Sequence, residues 1–393
     1  MHDLSARHGT LPAWLIFCLA AGTGAAVANL YYAQPLIGPI GQSLGIDIAR
    51  SGLIVTTIQA GYVAGLLLLS PLGDIVENKK LILVALCAVI ASLIAAMLAP
   101  SVWIFLAAAL VLGFSTSVTQ IILLVASHLA PETRRGEVIG KVMSGLLLGI
   151  LLSRPIATLV AGAAGWHAVF GLSALVVSAI TILLAMALPR RRPKAKTSYR
   201  ELIGSLWPVL RDNPVLQRRS IYQACMFGSI SLFFTAVPVL LQAPPFSLGT
   251  FGLSAFLLSG AIGVLVAPVV GRLADRGHGR FVTGLGIALA AAAFVLTFLG
   301  STGSLVPLVG ASILIDAGVQ CTLVSGQREI YKLPAEIRGR VNAAFVTSIF
   351  LGGGVGSALS TVVFSIGGFV PLGAIGLVFA GILLVAYLTE FRT

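Results

Sequence analysis

Apolar runs of about twenty residues, the length a helix needs to cross a bilayer core of about 30 Å, recur twelve times along the chain. They fall near 13–37, 51–72, 80–99, 102–129, 138–163 and 168–189, and again near 219–242, 251–272, 281–300, 304–327, 341–366 and 369–389. Short linkers rich in Gly, Pro, Ser or charge separate them. Only 10% of the residues are charged, against about 25% in a water-soluble domain. The pattern predicts an all-α membrane protein of two six-helix bundles, residues 1–189 and 219–393, joined by a linker over 190–218. The polar stretch Met1–Thr10 is short, and the run after it exceeds a signal-peptide core, so it reads as an uncleaved first helix.

A net charge of +12 raises nucleic acid as a partner, but the charges do not form a binding face. Apart from Arg50 and Arg154, every Lys and Arg lies in a tail, in an even-numbered loop, or at a helix end beside one. By the positive-inside rule the even loops and both termini are cytoplasmic. The expected partner is the lipid bilayer. The four cysteines, Cys18, Cys87, Cys225 and Cys321, lie in apolar runs without a CxxC pair. They read as small buried hydrophobes rather than a disulfide or metal set. In the linker, Ser198 and Glu201 suit a capping box, and Leu202, Ile203, Leu206, Trp207 and Leu210 recur at helical spacing. That predicts a helix lying in the interface.

The halves repeat. Leu72-Gly73-Asp74 after the second run matches Leu273-Ala274-Asp275 after the eighth, 201 residues later. Arg135-Gly136 opens the fifth run and Arg338-Gly339 the eleventh, 203 residues apart. Two matches at nearly one offset argue for duplication. Duplicated carriers place substrate between the repeats, near mid-membrane.

These loops resemble those of the major facilitator superfamily over the full chain. Gly271-Arg272-Leu273-Ala274-Asp275-Arg276 matches that family's loop motif well. Pro71-Leu72-Gly73-Asp74 with Lys79-Lys80 matches it loosely, Glu77-Asn78 standing where Gly-Arg is usual. The run Asn29-Leu30-Tyr31-Tyr32-Ala33-Gln34-Pro35 resembles a bacterial subgroup akin to drug:proton antiporters. The resemblance implies a cytoplasmic gate at Gly73, Asp74, Gly271, Arg272, Asp275 and Arg276. Asp74 ends a helix, where its own dipole disfavours it. Facing the N-terminus of the eleventh helix, it would latch the cytoplasmic side in an outward-open state; the alternative is a plain loop charge.

Two charges lie deep in spans, Arg154 in the fifth and Asp316 in the tenth. Each is costly in lipid and marks a functional site or a pair. Arg154 lies about nine residues before the outer end of its run and Asp316 about twelve after the outer start of its own. At about 1.5 Å per residue the depths are about 14 and 18 Å. Three readings remain: a proton-sensitive inter-half pair with Asp316 as the coupling group, a static pair, and an anion-binding Arg154. The repeat places Arg154 opposite about Ser357 and Asp316 opposite about Gly113, so neither charge is duplicated.

Polar residues supply the next candidates for a cavity: Asn29, Tyr32, Gln34, Gln59, Tyr62, Gln120, Gln223 and Gln320. Any of them can instead serve a neighbouring backbone group. Antiporters of the family often carry an arginine in helix 4 and a Gly-Pro pair in helix 5. Here Ala109 stands about where the arginine would, and helix 5 has Gly145, Gly149 and Pro155 but no Gly-Pro. Helix 11 holds Gly352, Gly353, Gly354 and Gly356, a face for close packing.

No phosphate loop, metal cluster or nucleophile-base pair is legible in the sequence. The expected function is secondary transport of a small organic solute by a monomer, driven by protons without a cofactor. Export leads, import of an anionic metabolite follows, and a membrane enzyme or receptor is the remote alternative.

Overall fold

A computed structural model describes residues 11–193, 198–334 and 337–390; Met1–Thr10 and Lys194 lie outside them. Among these residues all regular structure is helical. The membrane helices are α1 (Ala13–Ala28), α2 (Ile48–Asp74), α3 (Asn78–Met97), α4 (Val102–Leu129), α5 (Glu132–Ala164) and α6 (Trp166–Ala187) in the first half. In the second they are α7 (Pro214–Gln242), α8 (Thr250–Asp275), α9 (Gly279–Leu299), α10 (Val306–Ile330), α11 (Arg338–Ile366) and α12 (Phe369–Thr389). Eleven are long and apolar enough to cross a membrane; α1 is shorter.

The expected first span, 13–37, is corrected here. The α-helix ends at Ala28, a turn and the 3₁₀ segment Gln34–Leu36 follow, and a second helix runs Ile37–Leu44. Asn29 explains the break. Its Nδ2 donates to the Ala25 and Ala26 carbonyls at 3.0 and 3.1 Å, bonds that compete with continuation of the helix. Pro35 then lacks the N–H that an α-helix needs.

Helix pairs within each half approach through glycines. A Cβ at Gly61 or Gly113 would run into the Leu110 or Ile58 carbonyl, so α2 and α4 touch backbone to backbone. Gly145 and Gly149 bring α5 against α1 at Ala20 and Gly24, and Gly352 and Gly356 bring α11 against α7 at Ala224 and Gly228. Between helices in lipid such packing replaces the hydrophobic drive that water provides.

The halves meet along two seams with matching register. In one, a Cβ at Gly52 of α2 would come 2.7 Å from the Ser357 carbonyl of α11. In the other, Ser254 of α8 donates to the Pro155 carbonyl of α5 at 3.2 Å. The four positions are related by an offset of 202 residues, 52 to 254 and 155 to 357, which is the repeat seen in space. These contacts, with Thr56 Oγ1 2.9 Å from Ser357 Oγ and Gly162 against Thr250, lie in the parts of their helices nearest the odd-numbered loops. That side of the molecule is closed.

The linker forms two short helices, Tyr199–Gly204 and Leu206–Asp212, the first with the expected Ser198/Glu201 capping box. Tyr199 Oη donates to the Leu68 carbonyl of α2, six residues before its end. Cys18 and Cys321 are buried as expected and Cys225 partly so. Cys87 departs from the expectation: it is exposed on the outer face of α3, where its apolar neighbours also face outward.

Candidate functional site

Arg154 and Asp316 come to the same depth. Each lies ten residues from the odd-loop end of its helix, Arg154 from Ala164 and Asp316 from Val306, about 15 Å at 1.5 Å per residue. Both are buried and within electrostatic reach of each other, yet no N···O distance between them falls within 4.0 Å among the described residues. Arg154 instead donates from Nε to Gln34 Oε1 at 2.7 Å. Its guanidinium lies over the Phe234 ring of α7 at 4.2 Å and the Tyr31 ring at 5.1 Å. A desolvated cation on aromatic faces gains about 1–2 kcal/mol, which helps hold an arginine where lipid would not.

The break after Ala28 is what makes this possible. A helix running straight to residue 37 would carry Gln34 past the level of Arg154; the turn holds it at the seam. Tyr31 and Phe234 were not legible as site residues. Inside apolar runs an aromatic looks like any other core residue.

The other polar candidates separate into groups. Gln59 and Tyr62 of α2 belong to the seam. Gln59 Nε2 donates to Ser231 Oγ of α7 at 3.1 Å, while its Oε1 is buried with no partner, beside Gly353. The Tyr62 ring meets Phe350 of α11 edge-on with centroids 4.4 Å apart. Gln120 of α4 donates to Tyr62 Oη at 3.3 Å. Gln320 is half-buried and has no described hydrogen bond among the described residues. Asn29 and Gln223 are tied down: Asn29 Oδ1 accepts from Ser173 at 2.6 Å and Gln223 Oε1 accepts from Thr322 at 2.9 Å. Tyr32 lines a peripheral groove of about 550 Å³ between α1, α5 and α6. That groove opens to the surface of the bundle, since its walls Phe17 and Leu148 are exposed.

At the opposite side, the charges near Asp74 are His128 and Arg191, not the N-terminus of α11. Gly73 is buried against Ile121 and Leu124 of α4. In the matching loop Asp275 pairs with Arg328 at 3.7 Å, and Arg328 also donates to the Asp275 carbonyl. Arg272 donates to the Pro268 carbonyl at 3.3 Å. A Cβ on Gly271 would meet open space, and Arg276 is exposed.

Sequence reasoning missed one buried charge cluster. Arg219 of α7 donates to Glu390 Oε1, just past α12, at 2.9 Å, and to Thr283 of α9 at 3.3 Å. Tyr222 donates to the other Glu390 oxygen at 3.0 Å, and Arg280 stands 3.8 Å from the first. Both residues sit at span ends, where charges read as topology signals. The available clue was Glu390 itself, an acid at a helix C-terminus that the dipole disfavours.

Two pseudo-symmetric helical bundles, closed on one side, with one buried charge from each half at the same depth, define a membrane transporter. The sequence profile described as Major Facilitator Superfamily matches residues 16–357, and the chain belongs to that family. An uncharacterized transporter of Escherichia coli O157:H7, YgaY, is 35% identical over 363 residues, covering 92% of this chain and 91% of the relative. A probable transporter of Streptomyces coelicolor, SCO4007, is 29% identical over 343 residues, covering 87% and 79%. A probable sugar efflux transporter of Helicobacter pylori strain G27 is 24% identical over 251 residues, covering 63% and 62%. Among solved structures, a POT family transporter in complex with 5-aminolevulinic acid superposes with TM-score 0.76 at 15% identity, covering 95% and 94%. A bacterial homolog of the human lysosomal transporter Spinster, inward-facing and unoccupied, gives 0.74 at 13% identity, covering 95% and 92%.

Proposed function

We propose that the chain is a proton-coupled carrier exporting a small organic solute across the cell inner membrane by alternating access. It works as a monomer with even loops and both termini in the cytoplasm. The observation that carries this is the placement of Arg154 and Asp316: opposite halves, equal depth, close enough to attract, on the closed side of the seam. With the odd loops outside, the closed side faces outward and the state is inward-facing. Attraction between the two charges favours that closure. A proton on Asp316 removes the attraction, so opening to the outside is linked to protonation. No cofactor is required; the proton gradient supplies the drive. The naming of a relative as a probable sugar efflux transporter supports export over import.

A second reading has its own observation. Arg154 uses only Nε in a described hydrogen bond, which leaves the rest of its donor fork for an anion. An importer of an anionic metabolite would use it so. The first test begins with a ligand-stabilisation screen on purified protein, since a ligand that binds only the native state raises the melting temperature. A solute so found is then followed in everted and right-side-out vesicles. Asp316→Asn is expected to abolish flux driven by a pH gradient while leaving solute exchange intact. Unchanged gradient-driven flux in Asp316→Asn overturns proton coupling at this residue.

A further inference from the structure

The Asp316 carboxylate is seated against α8 at Gly260. A Cβ on Gly260 would collide with Asp316 Oδ2, and would lie 3.2 Å from both the Phe234 ring edge and Ser312 Oγ. One turn along, Gly263 brings α8 against the α10 backbone: a Cβ there would stand 2.7 Å from the Ala317 nitrogen and 2.8 Å from Asp316 Cβ. Ser312 lies one turn before Asp316 on the same face of α10. It is fully buried, and its hydroxyl has no hydrogen-bond partner. A buried hydroxyl left without a partner costs about 1–3 kcal/mol, so its persistence beside a carboxylate calls for a reason.

The repeat supplies a comparison within the same molecule. Gly61 of α2 corresponds to Gly263, and Leu110 to Ile313; both glycines press on the corresponding carbonyl. At the neighbouring contact the residues are exchanged in size. In the first half the small residue is Gly113 of α4, facing Ile58 of α2. In the second half the position of Gly113 is Asp316 and that of Ile58 is Gly260. The position of Ser312 is Ala109. So where α10 gained a carboxylate and a hydroxyl, α8 has a glycine in place of an isoleucine. Helix contact alone does not require this arrangement, because the first half packs without it.

We infer that Gly260 and Ser312 are positioning residues for Asp316, Gly260 supplying the space that seats the carboxylate and Ser312 the hydroxyl that bonds it. Ser312 Oγ has no partner in this conformation; a turn of its side chain lets it accept from a protonated carboxyl or donate to an ionised one. The inference rests on the reading of Asp316 as the proton-coupling group. The charged and titratable groups within reach of Asp316 are Arg154 of α5 and Tyr31 after α1. The facing residues Gly260 and Gly263 of α8 and Phe234 of α7 carry no charge, and α9 meets α10 at the equally uncharged pair Gly286 and Gly318.

The test is infrared titration of the full chain in liposomes, with protons as the only ligand. The wild type should show the carbonyl stretch of a protonated carboxyl that Asp316→Asn removes. Gly260→Ala should move the midpoint of that band by about one pH unit or more, the shift that 1.4 kcal/mol of altered environment produces. Ser312→Ala should move its frequency, as loss of a hydrogen bond does. Gly61→Ala, a change at the α2–α4 contact of the other half, alters packing alone and should leave both unmoved. If Gly260→Ala does not fold, Ser312→Ala carries the test. A band that vanishes in Asp316→Asn yet is unmoved by Ser312→Ala and Gly260→Ala overturns the socket and leaves the coupling residue standing. A band that survives Asp316→Asn overturns both.

Discussion

At the scale of single residues, Arg154 is held by shape as much as by charge. Its planar head lies on Phe234 and near Tyr31 while Nε reaches Gln34. Lysine keeps the charge but has neither the flat face nor the fork. Arg154→Lys should therefore lose about 1–2 kcal/mol of ring contact, seen as roughly a tenfold fall in transport with protein level unchanged. Wild-type flux in Arg154→Lys would show that charge alone matters. Asp316 and Arg154 were legible because charge in an apolar run has no neutral explanation. Their surroundings were not. Tyr31, Phe234, Ser312 and Gly260 are unremarkable residue types in a membrane helix, and only the fold shows that they face one point.

Among elements, contact is set by missing side chains. Because α2 and α4 meet backbone to backbone at Gly61 and Gly113, Gly113→Ala should cost about 1–3 kcal/mol by overpacking. The check is a lower melting temperature in detergent, with Gly136→Ala, where a Cβ meets open space, as the neutral comparison. A second prediction concerns the Arg219–Glu390 cluster, buried on both sides. Removing one member leaves an uncompensated charge, so Glu390→Ala should destabilise by about 3–5 kcal/mol. Replacing both with leucine should recover much of that loss; if the double variant is as unstable as the single, the pair is not the source. The glycine contacts were partly visible as a small-residue face in helix 11. The charge cluster was hidden, because the membrane ends of helices are where charge is ordinary. The break after α1 was hidden too, since Asn29 and Pro35 sit inside a run whose hydropathy alone reads as continuous.

For the whole molecule the repeat was the most informative part of the sequence. The offset near 202 predicted two halves, and the seams realise it: Gly52 with Ser357, Ser254 with the Pro155 carbonyl. What an offset cannot hold is the conformational state, because both halves keep their internal packing when the molecule opens. Closure on the odd-loop side is therefore a fact of the structure alone. It can be trapped. In a chain freed of its four native thiols, Thr56→Cys with Ser357→Cys replaces two hydroxyls 2.9 Å apart. Oxidation should form a disulfide within the seam and stop transport, and reduction should restore it. A cross-linked protein that still transports would show that this seam need not open.

The Arg219–Glu390 contact also has a consequence for how the chain is made. The partners are 171 residues apart, and synthesis proceeds at about 5–20 residues per second, so roughly 10–30 s separate their appearance. Throughout that interval α7 is in the membrane with a guanidinium whose carboxylate has not been translated. The arginine must wait at the water boundary, its long stem lying along apolar surface and its head hydrated. Only when α12 arrives can that head be drawn in beside Tyr222 and Thr283. The second half is thus fastened by a residue translated only after α12, and a nascent chain stalled before Glu390 should leave Arg219 open to water-soluble reagents.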